Sequence, residues 1–278
     1  MEQTGLLRAS PPLSYVDTLP SLLGEALALV GKQARACVFA GSFFAVLALS
    51  RHLPLGPLPR YDFLLLAALA MQAMLLRMKL ETPDELKTIC LFHVTGLALE
   101  IFKTHPAIAS WSYPEFAYSK IFGAPLYSGF MHAAVASYLV QAWRLFDLRL
   151  SDYPDARWTL LLAAAIYVNF FSHHYIGDYR WWLFAALLLV FGRTRLHFTP
   201  WRKMFWLPLP LCFLLIGAFV WIAENIGTFY GAWVYPDQQS GWKLVHWGKI
   251  SSWTLLVVIT FVIVADLKHL KQRRAARW

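Results

Sequence analysis

Residues Phe205–Asn225 read FWLPLPLCFLLIGAFVWIAEN, an apolar run that closes on a carboxylate and an amide. A little further on stands Trp233-Val234-Tyr235-Pro236-Asp237. The run is long enough to cross a bilayer as a helix. Lipid offers no partner for backbone N–H and C=O groups, so a segment this apolar satisfies them internally, as an α-helix. A transmembrane barrel would show short segments of alternating polarity, which are not seen. Similar runs recur along the 278-residue chain, which is 58% hydrophobic and 15% charged. A soluble domain carries about 25% charged residues. These features predict an all-α polytopic membrane helix bundle.

Apolar runs at about 36–50, 62–77, 86–103, 124–143, 158–172, 181–192, 205–223 and 250–266 predict about eight transmembrane helices. An even number puts both termini on one side. On that side the tails and loops hold 18 of the 25 Lys and Arg residues. Basic residues stay in the cytoplasm, so both termini are predicted there, in a multi-pass plasma-membrane protein. The same distribution, beside span after span, argues against reading the net charge of +9 as a nucleic-acid surface. The first 20 residues read as a mobile tail with no cleavable signal peptide, residues 21–267 as one transmembrane domain, and residues 268–278 as a basic cytoplasmic tail. Cys37, Cys90 and Cys212 lie in apolar runs without paired spacing and read as small buried hydrophobes.

The Trp-x-Tyr-Pro-acid pattern occurs twice. Its other copy is Trp111-Ser112-Tyr113-Pro114-Glu115. Each copy follows an apolar run ending in a glutamate, Glu100 or Glu224. A weaker echo links Ser50-Arg51-His52 with Ser172-His173-His174. We read a parallel four-plus-four internal repeat, with halves at about 21–150 and 151–267. The predicted topology then places both motif loops and the double-histidine loop on the non-cytoplasmic face.

A carboxylate at a span end is costly unless it meets a cavity or a partner, so Glu100 and Glu224 are candidate acid–base groups. The plainer reading has each at the headgroup level, capping its helix or pairing with Lys103, His105 or Asn225. His173, His174 and Asp178 form a second candidate group, with Asp178 orienting an imidazole or pairing with Arg180. Adjacent histidines project differently from a helix, and no histidine box of the oxygenase kind occurs, so no metal site is expected. Trp111, Tyr113, Trp233 and Tyr235 suit the wall of an apolar substrate site, or else the aromatic belt of any membrane protein. His132 and His246 follow the two motif loops at roughly matching places and join the candidate substrate contacts. No glycine-rich phosphate loop, nucleophile elbow or cofactor fingerprint identifies a cofactor.

Thr104–His132, Asn169–Trp181 (with Asn-Phe-Phe-Ser-His-His) and Glu224–Asp237 resemble a bacterial family of integral membrane proteins of unknown function, from about Glu25 onward. The resemblance implies a membrane location and supplies no activity. A second resemblance is to the membrane carotenoid hydratases, through Glu100, Tyr113 and Gly123-Ala124-Pro125-Leu126. The Trp-x-Tyr-Pro spelling and the His-His loop depart from that pattern. It implies proton-transfer chemistry on an isoprenoid.

The expectation is therefore a membrane-embedded enzyme that modifies a lipid or isoprenoid. Its rivals are a small-solute or lipid transporter, which parallel repeats would suit, and a non-catalytic scaffold. The expected partners are the bilayer and such a lipid; no nucleic acid is expected, and the oligomeric state is not encoded in any motif.

Overall fold

The computed structural model describes residues 19–275, so most of the predicted N-terminal tail and residues 276–278 lie outside the described residues. The helices are α1 (Leu19–Ala36), α2 (Val38–Leu49), α3 (Arg60–Arg77), α4 (Pro83–Thr104), α5 (Tyr127–Leu145), α6 (Ala156–Ile176), α7 (Arg180–Phe191), α8 (Leu209–Phe229) and α9 (Lys249–Ala275). Each of the eight predicted spans overlaps one of α2 to α9, but the runs predicted from 124 and 205 open on strands, Ala124–Pro125 and Phe205–Pro208, before their helices begin, and α9 continues into the segment expected to be a separate basic tail.

Local chemistry sets the boundaries. Pro54 and Pro57 stop the chain from continuing α2. Thr82 and Glu85 form a reciprocal capping box at the start of α4, with Pro83 in its first turn. Asp155 accepts from the Arg157 N–H at the start of α6. Gly177, at φ +103°, ends α6 in a conformation other residues rarely adopt.

By length and hydropathy α6, α8 and α9 (over Lys249–Asp266) can each cross a membrane, and α1 with α2 makes a fourth candidate if that pair, bent by 64°, is one span. The other helices fall short for visible reasons. α7 has only 12 residues. α3 buries Arg60, Asp62 and Gln72, and α4 buries Glu85, Glu100 and Lys103. These polar groups lower the hydropathy but face inward.

The packing has a regular plan. The closest helix pairs are α4 with α5 and α8 with α9; α2 packs on α3, and α6 on α7. Between the two groups α5 meets α9, α2 meets α8, and α4 meets α6. Two close approaches need glycine. A Cβ on Gly96 of α4 would run into His132 of α5, and one on Gly129 of α5 would lie 2.7 Å from the His93 imidazole of α4. One core cluster centres on α5, α6, α8 and α9, with Ala136, Ile166, Phe213 and Val258. The other gathers α2, α3 and both motif loops around Tyr61, Tyr127, Tyr113, Trp233 and Tyr235.

The periodicity of the chain did not announce its strands. β1 (Lys120–Ile121) and β2 (Ala124–Pro125) form a small hairpin. β3 (Arg149–Ser151), β4 (Arg195–Phe198) and β5 (Phe205–Pro208) form an antiparallel sheet in the order β3-β4-β5. The sheet joins the α5–α6 and α7–α8 connections, which the sequence read as plain basic loops. Its β4–β5 turn is held by Glu25 of α1, whose carboxylate accepts from the N–H groups of Trp201, Arg202 and Lys203, each at 3.0 Å. Lys32 of α1 donates to the Thr199 carbonyl at 2.9 Å. Of the cysteines only Cys212 is buried; Cys37 and Cys90 are exposed, at sites where the apolar runs face outward.

Candidate functional site

The two motif loops meet. The N–H of Ser112 donates to the Val234 carbonyl and the N–H of Val234 to the Ser112 carbonyl, both at 2.9 Å. These are the second residues of the two Trp-x-Tyr-Pro copies, paired as an antiparallel bridge. The Trp111 ring stands edge-on to the Tyr235 ring, with centroids 6.0 Å apart. The first loop is pinned from below. Arg60 donates to Glu115 at 2.9 Å and to the Tyr230 carbonyl at 2.8 Å, while Asp62 accepts from the N–H groups of Tyr118 and Ser119, each at 2.9 Å.

Each tyrosine turns back onto the glutamate of the preceding helix. Glu100 Oε2 accepts from the Tyr113 hydroxyl and the Trp111 indole N–H, both at 2.8 Å. Its Oε1 lies 2.9 Å from His132 Nε2. Glu224 Oε1 accepts from the Tyr235 hydroxyl, and its Oε2 from the Trp253 indole N–H at 2.7 Å. Both carboxylates are buried, Glu100 at 4% exposure and Glu224 at 2%. Charges so placed persist only with such partners. Burial first, and then the Glu100 carboxylate, hold the Tyr113 hydroxyl far above the usual tyrosine range. Burial and Glu224 do the same to Tyr235. Both phenols therefore stay hydrogen-bond donors. The Lys249 ammonium lies 4.5 Å from the Tyr235 ring centroid and 5.6 Å from that of Trp111, a cation–π arrangement that touches both motif loops.

The carboxylates, with Trp111, Tyr113, His132, Trp233, Tyr235 and Trp253, line one end of a cavity of about 680 Å³. The rest of its wall is almost wholly apolar, supplied by α1, α2, α5, α8, α9 and the sheet. Trp233 donates no hydrogen bond to Glu224; its ring fills the space over Gly227, where a Cβ would not fit.

His173 and His174 sit apart from this cavity wall and converge on Lys103, which the sequence offers as a partner for Glu100 instead. The His173 Nδ1–H donates to the Asn169 carbonyl at 2.9 Å, so its Nε2 lone pair is free to face Lys103 Nζ at 3.3 Å. Lys103 Nζ is also 2.8 Å from His174 Nε2, and the two imidazole centroids are 3.9 Å apart. Lys103 itself is buried at the end of α4, one turn beyond Glu100. Asp178 pairs with Arg180 at 2.8 Å rather than with an imidazole. Burial alone would raise the Asp178 pKa, but the Arg180 N–H and guanidinium outweigh it and hold the carboxyl below its ordinary range. Arg180 also reaches Ser251 of α9 at 3.1 Å.

The structure does not bring His246 to the carboxylates. That residue is exposed, stacks on Trp247 and accepts from the Gly248 N–H at 3.1 Å. The place on α9 that answers to His132 on α5 belongs to Trp253. The clue was spacing: His132 stands nineteen residues after Tyr113, and Trp253 eighteen after Tyr235. Among the described residues no group of three or more His, Cys, Asp or Glu side chains could hold a metal ion.

A family model described as "Protein of unknown function (DUF817)" matches residues 25–261. The chain belongs to this family. The matched segment contains both motif loops, both buried glutamates and the His-His turn. The chain is also similar to "Uncharacterized protein YoaT" of Bacillus subtilis (strain 168), with 54% identity over 242 residues, covering 87% of this chain and 91% of that protein. No solved structure matches the chain.

Proposed function

We propose that this protein is a membrane-embedded enzyme that carries out acid–base chemistry on a lipid or isoprenoid, with Glu100 and Glu224 as the reacting groups. The observation that carries this reading is the pair of buried carboxylates at one end of a long apolar cavity. A hydrocarbon belongs in such a cavity, and two carboxylates can move protons to and from an unsaturated chain. In a hydration, one glutamic acid gives its proton to one alkene carbon. Water bonds to the other carbon, and the second carboxylate takes the proton that water releases. In an isomerisation the second carboxylate removes a proton from the chain instead. The indole and phenol faces of Trp111, Trp233 and Tyr235 favour the cationic carbon that forms in between. The resemblance of Glu100, Tyr113 and Gly123–Leu126 to the carotenoid hydratases agrees with this chemistry. His173, His174 and Lys103 have a place in it as a polar link between the outer face and Glu100, with Asp178 and Arg180 fixing the turn beside them.

The same reading takes α2 to α9 as eight spans in a plasma membrane with both termini cytoplasmic, and the fold as a four-plus-four duplication. Several observations support the duplication. The exchanged Ser112–Val234 hydrogen bonds join equivalent residues. Equivalent helix pairs make equivalent contacts: α4–α5 with α8–α9, α2–α3 with α6–α7, and α2–α8 with α6–α4. Each tyrosine binds its own glutamate.

The test is untargeted lipid analysis of cells with the protein, without it, and with Glu100→Gln or Glu224→Gln. A lipid that changes with the protein and reverts in both variants supports the proposal. Full conversion by both variants would overturn it.

A further inference from the structure

Helix α1 carries its charges on the wrong side for water. Glu25, Leu29, Lys32 and Ala36 recur at the spacing of one helix face. Glu25 holds the β4–β5 turn through three backbone N–H groups, and Lys32 donates to the Thr199 carbonyl. Ala36 is buried, and Leu29 lines the cavity. Leu23, Leu27, Val30 and Ala34 make the opposite face, at the same spacing. All four are apolar and open: Leu23 is 59% exposed, Leu27 64% and Val30 66%, and Ala34 is exposed with them. On a surface helix of a soluble protein the charged side faces out and the apolar stripe faces the core.

The apolar strip continues onto the sheet. The Trp201 ring packs against α1, where a Cβ on Gly24 would lie 2.8 Å from it, yet 51% of Trp201 is exposed. Met204, Phe205 and Trp206, which follow it, are exposed too. Cations rim these rings. The Arg202 guanidinium lies 4.2 Å from the Trp201 ring centroid, and that of Arg195 lies 4.3 Å from the Trp206 ring centroid. Both arginines are exposed, and exposed Arg35 closes the strip in the last turn of α1. Tryptophan beside arginine suits the headgroup layer rather than the hydrocarbon. Direction agrees with composition. The α1 axis is bent by 64° from that of α2. With α2 as a span, α1 runs nearer the membrane plane than its normal.

We propose that α1 and the β4–β5 turn form an in-plane docking surface for one leaflet of the bilayer, with Leu23, Leu27 and Val30 in the acyl boundary and anionic headgroups at Arg35, Arg195 and Arg202. An interfacial helix gains both from its buried apolar area and from attraction to anionic lipid. Helix α1 is then an anchor outside the eight spans, not the first half of a bent one. The surface is independent of the acid–base reading and serves an enzyme, a transporter or a scaffold alike. It also borders the cavity, because Leu29 and Gln33 of α1 and Cys37 at the bend belong to the cavity wall.

Spin labels on the full-length protein test the placement, in vesicles of phosphatidylcholine and phosphatidylglycerol. Leu23→Cys, Leu27→Cys, Val30→Cys and Ala34→Cys are made one at a time in a background of Cys37→Ala, Cys90→Ala and Cys212→Ala. Collision with oxygen and with a water-soluble nickel complex reads the depth of each label. An in-plane helix puts all four at one depth, roughly 5–10 Å into the headgroup and acyl boundary. A bent span would make the depth rise by up to roughly 16 Å from Leu23 to Ala34, and labels open to nickel alone would stand in water. Either result overturns the proposal. So does spin–spin broadening between labels, which would give the face to a second copy of the chain. The headgroups are read separately, from the lipid that the purified protein retains out of an equal mixture, and the parent protein needs no substitution for this. Phosphatidylglycerol is expected to be enriched over phosphatidylcholine by roughly fivefold or more, and the double variant Arg195→Gln, Arg202→Gln to lose most of that enrichment. Equal retention of the two lipids by the parent, or full enrichment in a folded double variant, would overturn the assignment of anionic headgroups to these arginines.

Discussion

The two glutamate pockets are built alike, but only the first has a third partner. Glu100 is bonded by an indole, a phenol and an imidazole, and Glu224 by a phenol and an indole. The imidazole makes the difference. An indole N–H only donates and a phenol this buried stays protonated, so neither can take a proton from a carboxyl group. His132 can both give and receive one. Glu100 therefore has a neighbour that can relay a proton, whereas Glu224 is bonded only by groups that donate and do not exchange one. Two similar pockets thus differ in whether a neighbouring side chain can pass a proton to the carboxyl group. Two carboxylates with separated roles are what addition or isomerisation of an alkene requires.

The largest effects should come from removing either carboxylate. Glu100→Gln and Glu224→Gln are each expected to lower turnover by roughly 10² to 10⁴, the usual contribution of an acid or base. The comparison predicts a difference in rescue. A small weak acid such as formic acid added to the medium should restore part of the Glu100→Gln rate, because only a proton donor is missing. It should not restore Glu224→Gln. Rescue of both, or of Glu224→Gln alone, would remove His132 as the relay that sets the two pockets apart. Next in size are His132 and Trp253. His132→Gln keeps a donor and removes the exchangeable proton, while Trp253→Phe removes a donor to a charged group, a loss of about 1.5–3 kcal/mol. The histidine variant should lower turnover without lowering the unfolding temperature. The tryptophan variant should lower the unfolding temperature more than it lowers turnover.

The tight approaches around the two pockets give a third contrast, in stability. Gly96→Ala places a methyl against His132, and Gly227→Ala places one against the Trp233 ring. Overpacking of this kind costs about 1–3 kcal/mol, so thermal unfolding in detergent should shift down by a similar amount in both. Their activities should part. Displacing His132 breaks a bond to Glu100, whereas Trp233 holds no carboxylate. Folded Gly96→Ala protein should therefore be the less active of the two, and equal specific activities would remove His132 from the mechanism.

Much of this arrangement was legible because it rests on covalent spacing. A glutamate at a helix end, followed by Trp-x-Tyr-Pro, can fold only a short way back, so the pairing of Tyr113 with Glu100 and of Tyr235 with Glu224 follows from local geometry. Helix positions were legible from the apolar runs for the same reason. Other parts depend on long-range contacts, which leave no local mark. Lys103 reads from the sequence as a partner for the nearby Glu100, and only the packing of α6 brings His173 and His174 onto it. Lys249 became part of the site through two aromatic rings, and Trp253 through the register of α9 against α8. The β3-β4-β5 sheet joins loops far apart in the chain, and its two-residue alternation is brief enough to be hidden beside Arg195, Arg202 and Lys203.

The smallest contrast lies in the last residue of each motif. Both copies end in an acid, but only the first is used structurally. Glu115 lies 2.9 Å from Arg60 and 3.4 Å from Arg51, and Arg60 is nearly buried. Asp237 is exposed, in a short 3₁₀ turn at Pro236–Gln238. Removing the charge from Glu115 leaves the Arg60 guanidinium with carbonyl and hydroxyl partners but no counter-ion. A fully buried broken pair costs 3–5 kcal/mol, and the partial exposure of Glu115 reduces this to roughly 1–2 kcal/mol for Glu115→Gln. Asp237→Asn alters an exposed side chain away from such a network and should stay within about 0.5 kcal/mol of the parent. Urea or thermal unfolding of the two variants side by side measures the difference. If they shift equally, Arg60 draws its stability from the Tyr230, Gly231 and Leu47 carbonyls instead, and the repeated acid marks ancestry in both copies and structure in neither.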